Sequence, residues 1–152
     1  MALFDSLYAQ TRAVLGLDSF DLKDSKLEDW GVLDDLLIDL DQWLPDYEKI
    51  VEQKGSAMES RLRSYAKYYC ASICVRVGAT FIVKVWTDGE TKFERFEGDW
   101  EALSQYLKSQ ADRIKLNIQQ KLGLITDTDD IGFKLTSVSS PDRDPVTTPR
   151  DS

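Results

Sequence analysis

The chain has 152 residues, 27 acidic and 19 basic, for a net charge of −8, with 42% hydrophobic residues and no histidine. That length forms one domain whose core needs no disulfide staple. Without histidine, Ser-His-Asp, Cys-His and His-metal schemes are excluded, and the acidic balance argues against a groove that grips nucleic acid through Lys and Arg.

In chain order, residues 3–15 predict a short helix with Leu3, Leu7, Val14 and Leu15 near one face and Gly16 as its stop. Residues 18–25 are rich in capping types and form a loop that delivers Asp24 or Ser25 as the N-cap of a second helix. On that helix Leu27, Trp30, Leu33, Leu37, Leu40 and Leu44 gather on one side, and Glu28, Asp35, Asp39 and Gln42 on the other. Pro45 breaks or kinks it, and Asp46 restarts a turn through Tyr47, Ile50 and Val51 before Gly55.

The frame of the chain is residues 55–123, which reads helix, hairpin, helix. Ser56 with Glu59 forms a capping box, in which the Glu59 carboxylate is expected to reach back to the Ser56 N–H. Met58, Leu62, Tyr65, Tyr69 and Ile73 then recur at helical spacing, and Cys70, Cys74, Val75 and Val77 broaden the stripe. Residues 81–86 favour β structure and run into Asp88-Gly89, a strong hairpin signal, with residues 91–96 as the returning strand. Asp99 caps a long helix bearing Trp100, Leu103, Leu107, Ala111, Ile114, Ile118 and Leu122 on one face, and Gly123 ends it.

Beyond it, Ile131, Phe133 and Leu135 alternate as a strand would, and the tail of Ser, Thr, Pro, Asp and Arg has little to bury. The fold expected is therefore mainly α: a four-helix domain over residues 1–123, a β-hairpin at 80–97 between the third and fourth helices, and an extended C-terminal arm at 124–152. Trp86 and Phe93 on the hairpin, with Ile131, Phe133 and Leu135 on the arm, are the expected contacts with another chain.

Charge is concentrated at one end. Residues 1–55 hold 13 acids and 5 bases, so the first third carries the whole excess. No Gly-rich phosphate loop occurs. Asp127, Asp129 and Gly132 superficially resemble a calcium loop, but Ile131 and Val138 stand where ligands are required. Asp34, Asp35, Asp39 and Asp41 could in principle bind magnesium, though acids along an exposed helix face ordinarily serve solvation. Cys70 and Cys74 lack the further ligands a metal site needs and read as small buried hydrophobes. No catalytic, metal or cofactor site is expected, nor an enzyme. There is no apolar run of about 18 residues and no basic, apolar leader, so neither a membrane span nor a signal peptide is expected, and the chain is expected in the cytoplasm.

One resemblance gives these elements a context. Leu15-Gly16-Leu17-Asp18 after a short helix, an acidic loop, Leu-Leu-Ile-Asp-Leu-Asp-Gln-Trp at 36–43, and Ser-Tyr-Ala-Lys-Tyr-Tyr-Cys-Ala-Ser-Ile-Cys at 64–74 resemble the head-to-tail connector, or neck adaptor, proteins of tailed bacteriophages. Asp-Trp-Glu-Ala-Leu-Ser-Gln-Tyr-Leu at 99–107 and the Asp/Pro-rich arm are similar in style to virion neck proteins; the long hairpin departs from the minimal adaptor pattern. The resemblance implies a non-enzymatic structural protein of the virion neck, made in the host cytoplasm. It would form a dodecameric ring on the portal protein, contact tail or neck proteins, and let DNA pass as cargo. Glu28, Asp35 and Asp39 would then face solvent and line the lumen, repelling phosphates. The alternative is a small acidic binding protein, an immunity protein or tail-assembly chaperone, that occupies a basic partner.

Overall fold

The computed structural model describes residues 4–87 and 99–124. Among them the chain forms six helices and no strand: α1 (Leu7–Leu15), α2 (Asp24–Asp29), α3 (Val32–Trp43), α4 (Tyr47–Glu52), α5 (Ala57–Thr87) and α6 (Trp100–Lys121). The mainly helical expectation stands at that level, but the four-helix count and the hairpin do not. The packing and the sites described below lie within residues 4–118, inside the first of the chain's two units; the end of α6 from Gln119, with its stop at Gly123, belongs to the second. None of these helices is long and apolar enough to cross a membrane.

The single second helix expected from the leucine spacing is two helices. Trp30 N–H still bonds to Lys26 O at 3.1 Å, but Gly31 then takes φ 66°, ψ 27° and the chain restarts as α3. A side chain with a Cβ is disfavoured in that left-handed conformation, so the glycine makes the corner between α2 and α3 possible. The expected restart after Pro45 is α4.

The hairpin expectation fails at its first strand. Residues 81–86 belong to α5, which is helical on both sides of a bend at Gly78 (φ −106°, ψ 21°). A short apolar run does not distinguish a strand from a buried helix segment by periodicity. Extending an existing helix adds a hydrogen bond per residue fixed, whereas an isolated two-stranded hairpin is marginal in water. The proposed turn at Asp88-Gly89, the second strand at 91–96 and the arm from residue 125 onward lie outside the described residues.

The start of the second helix does not follow its expected signal, since Lys23 is the N-cap and Asp24 is already the first residue of α2, but the ends of α5 and α6 do. Glu59 N–H donates to Ser56 Oγ at 3.0 Å, and the Glu59 carboxylate accepts the Gly55 N–H at 3.2 Å, one residue earlier than the capping box predicts. Ser56 N–H is instead taken by Gln53 O at 3.1 Å. Arg63, one turn on, pairs with the same carboxylate and is the first cause holding its pKa below the ordinary value, followed by the Gly55 N–H. Ala102 N–H donates to Asp99 Oδ1 at 2.9 Å, the expected cap of α6. Gly16 and Gly123 both close their helices with positive φ.

The core is one cluster in which α5 is central, packed against α1 most extensively and then against α3 and α4. Leu62, Ala66, Cys70 and Cys74 recur every four residues along α5 and are fully buried, as are Leu15, Leu22, Leu27, Leu36 and Leu40 from the preceding segments. Ala and Cys at three of these four positions keep the α5 surface low, which allows neighbouring backbones to come close. At Gly78 the close approach is by Trp30: an added Cβ would overlap the indole ring.

Candidate functional site

A second row on α5, Tyr65, Tyr69 and Ser72, turns toward α3 and α6, and here the contacts are polar. Asp39, near the end of α3, is the centre. Its Oδ2 accepts the Trp43 indole N–H at 2.7 Å and also the Tyr65 hydroxyl, and Lys115 Nζ of α6 lies 3.9 Å from Oδ1. The Asp39 side chain is 17% exposed and that of Lys115 26%, so both charges are partly withdrawn from solvent. Trp43 meets Tyr65 edge to face at 5.1 Å between centroids, Tyr65 stacks on Tyr69 at 5.7 Å, and Lys115 lies 5.1 Å from the centre of the Trp43 ring. Lys108, about two turns earlier on α6, lies over Tyr69 at 5.5 Å and pairs with Asp112 at 2.7 Å.

Burial, and then the hydrogen bond to Asp39, pushes the Tyr65 pKa far up, and burial followed by Asp39 pushes that of Tyr69 up to about 12. Both phenols therefore remain neutral at physiological pH; Tyr65 acts as a hydrogen-bond donor. Charge-assisted hydrogen bonds of this kind are stronger than neutral ones and fix direction as well as distance. Chemically the cluster ties α3, α5 and α6 to a common carboxylate.

The three acids expected to face a lumen thus have different surroundings. Glu28 is exposed on α2, Asp35 is half-buried on α3, and Asp39 points inward. Exposed acids do surround Glu28 in sequence: Asp29, Asp34, Asp41, Asp46, Glu48 and Glu52 all lie at the surface of α2, α3 and α4 or the turns between them. Among the described residues no group of three Cys, Asp or Glu side chains is disposed to hold a metal ion. Trp86 lies on α5, and Phe93, Ile131, Phe133 and Leu135 lie outside the described residues.

Three features were not anticipated from sequence. Arg12, on α1, is buried; its guanidinium donates to Leu22 O at 3.2 Å and pairs with Asp24, stapling the end of α1 to the start of α2. A base interrupting an apolar helix face, ahead of a loop rich in acids, was the available signal. Between those two anchors, Asp18 Oδ1 accepts the Phe20 N–H at 2.8 Å and the Asp21 N–H at 2.9 Å, and Asp21 Oδ2 accepts the Asp18 N–H at 3.2 Å. This knot holds Phe20 out at 89% exposure, while Leu17 and Leu22 on either side are buried. The third feature is an open cleft of about 370 Å³ between α5 and α6, lined by Val75, Arg76, Trp100, Glu101, Ser104 and Gln105.

No family model, no curated protein and no solved structure matches this chain.

Proposed function

We propose that the protein is a structural component of a tailed-phage neck, a head–tail adaptor that forms a ring on the portal, joins it to the tail and passes the genome. The observation that carries this reading is the sequence texture at residues 15–18, 36–43 and 64–74, segments that fall at the stop of α1, on α3 and on α5. The polar cluster around Asp39 is consistent with an architectural role, since its charges hold helices together. In such a ring the exposed acids of α2 to α4, Glu28 among them, would face the passing DNA and repel its phosphates. Asp39, turned inward, would support that wall.

The same exposed acids favour a second reading, a small acidic protein that occupies a basic partner in a one-to-one complex. Electron microscopy of the protein alone and mixed with portal separates the two. Many-fold rings seated on the portal are expected; a protein that ignores the portal and instead forms a tight one-to-one complex with a basic partner would overturn the adaptor reading.

A further inference from the structure

We infer that Phe20 of one copy inserts into the α5–α6 cleft of the next, a head-to-tail contact between copies of this chain that rests on the ring reading. The knob and the cleft are separate surfaces of one molecule, and Phe20 at 89% exposure does not fill its own cleft. A contact between two different patches is heterologous, and such a contact closes into a ring when its rotation allows.

The knob is preorganised. Arg12 anchors the loop from inside, buried Leu17 and Leu22 fix its two ends, and the paired Asp18 and Asp21 side chains take up the backbone N–H groups at its tip. A large apolar ring on a loop already ordered costs little further conformational entropy on binding, and buried aromatic anchors dominate interface energetics. Scattered exposed hydrophobics are ordinary on a protein surface. Phe20 differs from Ile38, Val77 or Leu116, exposed on helix faces, because a dedicated set of hydrogen bonds holds up the turn that displays it.

The cleft fits in size and charge. Clefts of roughly 300–1,000 Å³ bury whole small molecules, so about 370 Å³ has room for one phenyl ring and its flanking backbone. Its floor includes buried Val75, its wall Trp100, and Ser104 pins α6 to α5 there by donating to Ser72 O at 3.1 Å. On the rim, exposed Arg76 supplies the charge that Asp18 and Asp21 beside Phe20 call for, and exposed Glu101 suits Lys23 two residues beyond Asp21. Each side thus presents both signs, which sets orientation as well as attraction.

Two exposed substitutions test the contact without touching the core: Phe20→Ala removes the knob, and Gln105→Trp fills the cleft. In sedimentation velocity on the full chain, each variant is expected to self-associate about 30-fold or more weakly than the parent, the loss typical of a hot-spot residue. Mixed in equal amounts, the two variants should form dimers and nothing larger, because one intact junction remains between the knob of one and the cleft of the other. A mixture that stays monomeric overturns the contact, as does a Phe20→Ala variant that assembles like the parent. Rings formed by the parent and both variants alike overturn the contact and leave the ring reading in place, whereas a parent that stays monomeric even with portal overturns both. Loss of a foreign partner in Phe20→Ala, with self-association unchanged, likewise overturns the proposal.

Discussion

The face that α5 turns to α1 and the face it turns to α3 and α6 are built from different chemistry. Toward α1 the row is Leu62, Ala66, Cys70 and Cys74, with the Thr11 hydroxyl buried beside the Cys70 thiol; burial raises the Cys70 pKa well above its ordinary value and keeps the thiol neutral. Toward α3 and α6 the row is Tyr65, Tyr69 and Ser72, each meeting a named partner at a defined distance. Apolar burial is non-directional and scales with area, whereas hydrogen bonds and ring contacts depend on angle. The first face therefore supplies stability, and the second determines how α3 and α6 are turned about their axes.

The largest effect belongs to the apolar face. Leu15 is completely buried, and Leu15→Ala should cost about 2–5 kcal/mol in urea unfolding. A cost below about 1 kcal/mol would mean that α1 is peripheral and the contrast misplaced.

Next comes the polar face. Asp39→Ala leaves the Tyr65 hydroxyl and the Trp43 N–H without their acceptor and should cost about 1–3 kcal/mol. Tyr65→Phe in the same background should then cost less than it does alone, because the two side chains share one hydrogen bond. Strict additivity in that double-mutant cycle would show that the carboxylate and the phenol act independently.

Alkali probes the same face more gently. The Tyr69 phenol releases its proton near 10.0 when unfolded and near about 12 when folded, so the folded state holds it longer. Its contribution to stability is full below pH 10.0 and is lost as the pH rises to about 12. Tyr65, raised further, acts in the same direction. Urea midpoints across that window should fall, and Tyr69→Phe should flatten part of the fall; an unchanged slope would contradict this assignment.

The smallest effect returns to the apolar face. Thr11 Oγ1 is buried with no partner stronger than the weakly hydrogen-bonding Cys70 thiol among the described residues. Replacing it by a methyl of the same shape removes a weakly satisfied polar group, so Thr11→Val should leave the melting temperature unchanged or raise stability by about 1 kcal/mol. A loss of that size would show that the hydroxyl has a stronger partner after all.

Local signals in the sequence determined several helix termini. Gly16, Ser56 with Glu59, Asp99 and Gly123 act within a turn or two of themselves, and the hydrogen bonds they imply form irrespective of what packs nearby, apart from the one-residue shift at Gly55. Helical spacing likewise picked out the buried positions Leu27, Leu40, Leu62, Tyr65, Leu103 and Leu107. Tertiary structure decided the rest. The leucine period runs through Gly31 undisturbed, so only the docking of Trp30 against Gly78 reveals why the chain turns there. Residues 81–86 read as a strand by composition but form the helical segment of α5 beyond the Gly78 bend, a distinction that periodicity of a short apolar run does not make. Asp39 shares its sequence pattern with the exposed acids around it; it turns inward because Trp43, Tyr65 and Lys115 converge on it from three helices, and two of those three lie far from it in the chain. Periodicity assigns a residue to a face, but which face finds a partner depends on contacts between distant segments, and those exist only in the folded chain.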